Sequence, residues 1–154
     1  MPDEISKQWR MRIPGLRNHA LPGDSVPETT EFMSLSHGVH FDPGYAGGNS
    51  QVHVQDVNLF RYSDAATPVF MKLCATADPM PQVFFDLVTL KDGVEISRME
   101  YELVNARVSS IAPGGSNSGP DGMSEGLTLR FEKLKLRVVQ GGSTSHVDLV
   151  PQRK

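Results

Sequence analysis

Cysteine, long apolar runs and surplus positive charge are all scarce in this sequence. It holds one cysteine, Cys74, among 154 residues. A lone cysteine cannot close an internal disulfide, so the fold does not depend on an oxidising compartment. No apolar run nears the roughly 20 residues that span a bilayer as a helix, and we expect no membrane insertion. Lys and Arg number 15 against 18 Asp and Glu, a formal charge of −3. A nucleic-acid binder needs a basic footprint to displace counterions from phosphate, so we expect no nucleic-acid partner. The opening residues Met1-Pro2-Asp3-Glu4-Ile5-Ser6 carry neither a basic nor an apolar stretch, and we expect no classical signal peptide.

What is present reads as globular and mostly β. Hydrophobic residues make up 38% and charged residues 21%, a balance that can build a core. The length fits one domain. Trp9, Met11 and Ile13 alternate with Arg10 and Arg12, the mark of a half-buried strand over Gln8 to Ile13. A second strand is expected from about Thr30 to Phe41, and a third from Gln51 to Tyr62. Between these two, the Gly-rich stretch from Asp42 to Ser50 reads as a projecting loop. In the third strand Val52 and Val54 are apolar at even positions, then Val57 and Leu59 at odd ones. The last long strand, Gly126 to Val139, switches phase in the same way at Glu132-Lys133. A period-2 strand does this only by bulging, twisting or changing partner, which suits a barrel.

One helix is expected, about Thr67 to Ala77. Thr67 serves as N-cap, Pro68 takes the first helical position, and Phe70, Leu73, Cys74 and Ala77 form one apolar stripe. Cys74 reads as a small buried hydrophobe. Asp92-Gly93 predicts a tight hairpin between Gln82–Lys91 and Val94–Val104. The first arm is apolar on both faces, with Val83, Phe85 and Leu87 opposite Phe84, Val88 and Leu90, so both faces are expected to be covered. A further strand is expected over Ala106 to Ile111, and His146 to Val150 forms either a last edge strand or a tail.

The search for chemistry is negative. His37 and His40 lie three apart, which on a strand sends them to opposite faces. We therefore expect no metal site, although His53 or Asp42 would be the nearest further ligands. Gly114 to Gly119 lacks the lysine of a phosphate-binding loop and the serine of a nucleophile elbow. Asp86, Glu100 and Glu102 read as solvated strand residues. Two basic stripes, Arg10-Arg12-Arg17 and Lys133-Lys135-Arg137, are read as polar strand faces that line a wet surface. No catalytic group and no cofactor are expected.

Several segments in order resemble one known family. They are Val52-His53-Val54-Gln55-Asp56-Val57, then Arg61-Tyr62-Ser63-Asp64-Ala65-Ala66-Thr67-Pro68, then Val108-Ser109-Ser110-Ile111, and last Gly126 through Lys135. This run is similar to the Hcp family (haemolysin-coregulated protein), the inner-tube proteins of the bacterial type VI secretion system. The resemblance implies a β-barrel of two packed antiparallel sheets with one short flanking α-helix, about 67–77. It implies one domain over 1–154, with its core at about 9–139 and a tail, 140–154, that runs past the usual end. It implies homohexameric rings that stack into a hollow tube, exported directly from the bacterial cytoplasm and carrying small effectors in the lumen. Sheath and spike components are the implied further partners. Tyr45, Gly47 and Gly48 align with an extended loop that reaches a neighbouring ring, and Phe70, Leu73, Cys74, Phe85, Leu129 and Phe131 are the expected core. The family's strand-two tryptophans are absent, with Leu35 and His37 in that region. The runner-up reading is a monomeric barrel that binds a ligand or protein through its Gly-rich loops. A small hydrolase comes third.

Overall fold

The computed structural model describes residues 4–44, 51–115 and 122–151. Strand β1 (Ile5–Arg12) starts earlier than its alternation suggested: the Asp92 N–H donates to Glu4 O and the Glu4 N–H donates to Asp92 Oδ1, which carries the pairing to its end. Met11 and Ile13 are buried, whereas Arg10 and Arg12 face out.

The expected second strand is three strands. β2 (Thr29–Glu31) pairs with β1, and β3 (Ser34–Ser36) pairs with β6 (Val57–Tyr62). Between β2 and β3 the Phe32 N–H bonds Trp9 O and the Met33 N–H bonds Phe60 O. One kinked segment thus passes from the first sheet to the second. β4 (Val39–Asp42) then pairs, among the described residues, only with β5 (Gln51–Val54), in a separate two-stranded ribbon. Gly38 permits the break before β4. A Cβ there would lie 2.8 Å from Gln55 Oε1, and the Gln55 N–H bonds Gly38 O.

The phase switches are therefore changes of strand, not bends within one strand. β5 belongs to the ribbon and β6 to the barrel wall, with the break at Gln55-Asp56. The last expected strand likewise divides into β9 (Met123–Arg130) and β10 (Lys133–Gln140). The helix α1 spans Thr67–Thr76. After it, β7 (Met80–Lys91) and β8 (Val94–Gly115) form the expected hairpin. Asp92 and Gly93 both have positive φ, as the tight turn requires.

The two strands expected over 94–104 and 106–111 are one strand, β8. Its inward residues change from Tyr101 and Leu103 to Ala106 and Val108 across Asn105, which takes positive φ. Asn105 Nδ2 donates to Glu132 Oε2, and the Glu132 N–H bonds Val104 O. The corner where β8 turns is thus tied to the corner where β9 gives way to β10. One sheet runs β2-β1-β7-β8-β10 and ends on β11 (Ser143–Leu149), and the other runs β3-β6-β9-β8. Here β11 forms a hairpin with β10, so the stretch after Gly142 is an edge strand and not a loose tail. The kinked β2–β3 segment and the shared β8 close the sheets into a barrel.

Ala66, not Thr67, is the N-cap of α1. The helix buries Val69, Phe70 and Leu73, leaves Cys74 half-buried and free, and ends at an exposed Ala77 in the left-handed region. Phe70, Leu73, Phe85, Leu129 and Phe131 all lie in the buried core.

Candidate assembly surfaces and a buried ionic cluster

Arg61 sits on β6 in phase with Val57 and Leu59, so its side chain points inward. It is fully buried, and so is the Glu125 side chain opposite it on β9. Arg61 Nη1 donates to Glu125 Oε2 at 2.9 Å, and Nη2 donates to Asp64 Oδ2 at 2.6 Å. The guanidinium also lies 5.4 Å from the Phe70 ring centroid. Thr67 Oγ1 donates to Glu125 Oε1 and accepts from the Asp64 N–H, while Asp64 Oδ1 accepts from the Ala66 N–H. A buried charge is tolerable only when paired and hydrogen-bonded. The cluster thus gives the Arg61-Tyr62-Ser63-Asp64-Ala65-Ala66-Thr67-Pro68 run a physical meaning: it fastens β6, β9 and the start of α1 together. The sequence reading missed Glu125. Its signal was there, because Glu125 shares the phase of Leu127 and Leu129.

The outward face of the first sheet is a ladder of charge. One rung reads Arg12, Phe84, Glu102, Lys135 and Asp148 across five strands. The next reads Arg10, Asp86, Glu100, Arg137 and His146. Both rungs, Arg10 excepted, line a shallow concavity of about 490 Å³. The sequence reading left the acidic residues apart from the basic stripes, but the sheet interleaves them. Arg137 lies 3.4 Å from Glu100 and Lys133 3.4 Å from Asp148. Arg98 reaches Glu95 at 2.6 Å, Glu100 at 3.8 Å and Asp86 at 4.0 Å. Its hydrogen bond holds the exposed Glu95 carboxyl below the ordinary range. The Arg12 guanidinium stacks 4.3 Å from the Phe84 ring centroid. By register each carboxylate of the two rungs has a cation beside it, and Asp86, Glu100 and Asp148 are ion-paired, so the wall is charge-balanced. Arg17, the third member of the first stripe, instead pairs with Glu28.

The outward face of the second sheet is different. Ser34, Ser36, Asn58, Phe60, Tyr62, Ser110, Ala112, Ser124, Gly126 and Thr128 share it by register. It is small-featured and uncharged except at one end, where the register partners Arg107 and Arg130 both face out and Arg130 pairs with Asp56. Phe60 and Tyr62 stand 45% and 48% exposed.

The β4–β5 ribbon is the third surface. Val39, Phe41 and Val52 are exposed on one side. On the other, His40 and His53 face each other across the strands with stacked rings. His37 does not join them. Its Nε2 lies 2.8 Å from the Tyr101 hydroxyl, and its rings meet edge to face. Burial pushes the His37 pKa down and the Tyr101 pKa up. Tyr45, Gly47 and Gly48, expected to reach a neighbouring ring, lie outside the described residues. Among the described residues, no group of three or more His, Cys, Asp or Glu could hold a metal, and no helix is long and apolar enough to cross a membrane.

A small closed barrel with an internal ionic lock, a largely uncharged flank and a separate two-stranded ribbon defines a mostly β structural protein. The family model described as "Type VI secretion system effector, Hcp" matches residues 22–138. The chain belongs to the Hcp family, the structural tube proteins of type VI secretion, which are not enzymes. Its fold is that of Hcp1 from Salmonella typhimurium, at TM-score 0.72 and 22% identity over 94% of each chain. A type VI secretion system effector from Yersinia pestis matches at TM-score 0.67 and 16% identity, over 92% of this chain and 98% of that one. A further Hcp protein matches at TM-score 0.69 and 9% identity, over 98% of this chain and 100% of the other. No curated protein matches the chain significantly.

Proposed function

We propose that this protein forms homohexameric rings that stack into a hollow tube, exported from the bacterial cytoplasm by the type VI system without a cleaved signal peptide. Small effectors ride in its lumen, and sheath and spike components flank it. The observation that carries the reading is the contrast between the barrel's two outward faces, set beside family membership. A neutral, small-featured face with two exposed aromatics suits a tightly packed subunit contact. The charge-balanced concave face suits a wall that stays wet, such as one lining a lumen. A ring needs a heterologous contact that closes by rotation, in which the neutral face of one subunit meets a different surface of the next. The ribbon, rooted at Gly38 and Gln55, flanks Tyr45, Gly47 and Gly48 in the chain, and we assign those three residues to the contact between rings.

Light scattering on a sizing column, followed by negative-stain imaging, tests this. The expected outcome is a mass near six times 16.9 kDa with ring-shaped particles. A monomer across a wide concentration range would sink it and favour the binding-module reading.

A further inference from the structure

We propose that His40 and His53 form a chelating site for a borderline divalent cation, copper(II), nickel(II) or zinc(II), on the two-stranded ribbon. The two residues are direct partners in the β4–β5 register. Their ring centroids are 4.6 Å apart, with 18° between planes. Both side chains are exposed, so an ion reaches them without opening the barrel. Directly opposed residues of an antiparallel pair hold their Cβ atoms about 4.5–5.5 Å apart. The final torsion of histidine is broad, so a small rotation of each ring costs little. That rotation turns one nitrogen from each ring onto a single ion at about 2.0–2.1 Å.

The chemistry selects the ion. Imidazole nitrogen suits copper, nickel and zinc, while calcium and magnesium want oxygen. Two protein ligands leave the remaining positions to water, so binding is weaker than at a four-ligand structural zinc site. Copper should bind tightest of the three, following the usual order for nitrogen donors. The other histidines lack this geometry. His37 is engaged with Tyr101, His19 lies in the short turn Leu16–His19, and His146 stands on β11.

Occupancy has a structural consequence. Among the described residues the ribbon pairs with no third strand, and an isolated two-stranded ribbon is marginal in water. An ion held by one ligand from each strand ties the strands together, and binding that favours the formed ribbon stabilises it by mass action. The ion would therefore stiffen the platform on which Val39, Phe41 and Val52 are exposed. This inference does not depend on tube assembly and can be tested on rings or on single subunits.

The test titrates copper(II), nickel(II) and zinc(II) separately into the full-length protein, read by calorimetry. Histidine resonances are followed for the paramagnetic ions. We expect one ion per chain, with broadening centred on His40 and His53. Loss of even an outer-shell partner costs a metal site about 10–100-fold, so His40→Ala and His53→Ala should each weaken binding at least about tenfold. His146→Ala should leave it unchanged. The His40→Phe, His53→Phe double variant keeps two stacked rings but no ligand nitrogen. It should lose both binding and the metal-dependent slowing of amide exchange over 39–42 and 51–54. Undiminished binding in the single variants, or broadening spread evenly over all five histidines, would overturn the site. So would slowed exchange that persists in the double variant.

Discussion

The two sheets of this barrel place charge on opposite sides. In the second sheet the charge is mostly inside: Arg61 and Glu125 are buried beneath a wall whose outer surface is largely small polar residues and two aromatics, with Arg107 and Arg130 at one end. In the first sheet the inside is apolar, with Met11, Phe85 and Leu103, and charges crowd the outer surface. Ion pairs of similar length therefore have different consequences. Arg61–Glu125 spans 2.9 Å with both side chains sealed from water. Arg137–Glu100 spans 3.4 Å with the arginine 52% exposed. Water screens the second pair and not the first, so only the first should matter greatly to folding.

The largest expected effect follows directly. Arg61→Ala strands Glu125 as a buried, unpaired carboxylate and should destabilise the barrel by about 3–5 kcal/mol. Arg137→Ala should cost about 0–1 kcal/mol. Urea unfolding of the two variants measures the difference, and equal costs would break the comparison. A second prediction addresses the outer surfaces. Phe60→Asp adds a charge to the neutral face at an exposed position, so the subunit should still fold. In the proposed ring it should weaken assembly by about 2 kcal/mol or more, as loss of a central aromatic contact typically does. Sizing-column mass reads this out. If Phe60→Asp leaves the mass untouched while Lys135→Glu reduces it, the roles of the two faces are reversed.

The sequence made some of this legible and hid the rest for identifiable reasons. The Asp92-Gly93 hairpin, the helix at Thr67 and the inward run of Leu127 and Leu129 depend on neighbours in the chain, and local pattern exposed them. The phase changes at Gln55-Asp56 and Glu132-Lys133 were visible as well. Their meaning was not, because a bend and a change of partner leave the same mark in a period-2 pattern. At Val104-Asn105 the reverse occurred: a phase change within continuous β8 looked like a gap between two strands. Glu125 was overlooked because a lone carboxylate in an apolar phase makes sense only once Arg61 stands opposite, 64 residues away. The charge ladder stayed hidden for the same reason. Its rungs join β1, β7, β8, β10 and β11, and register across five strands is not written in any one of them. The His40–His53 pair also needs a register, that of β4 with β5, which the Gly-rich stretch between them conceals.

The smallest predicted effect asks whether the interior tolerates charge only where a counter-charge awaits it. Arg61 has Glu125 and Asp64. His37 has the neutral Tyr101 hydroxyl, and its Nδ1 is buried with no hydrogen-bond partner among the described residues. Burial lowers the His37 pKa below its ordinary 6.5. The unfolded chain therefore binds the proton more readily than the folded one, and stability rises with pH wherever the two differ. This contribution is complete above about pH 6.5. It is lost as the pH falls below that value, and levels off once the folded histidine is also protonated. His37→Gln keeps a polar side chain that can meet Tyr101 but cannot titrate. In urea unfolding between pH 7 and pH 5, the parent should lose more stability than this variant. Parallel pH profiles for the two would show that a proton on His37 is accommodated, and that the cross-sheet contact does not require a neutral partner.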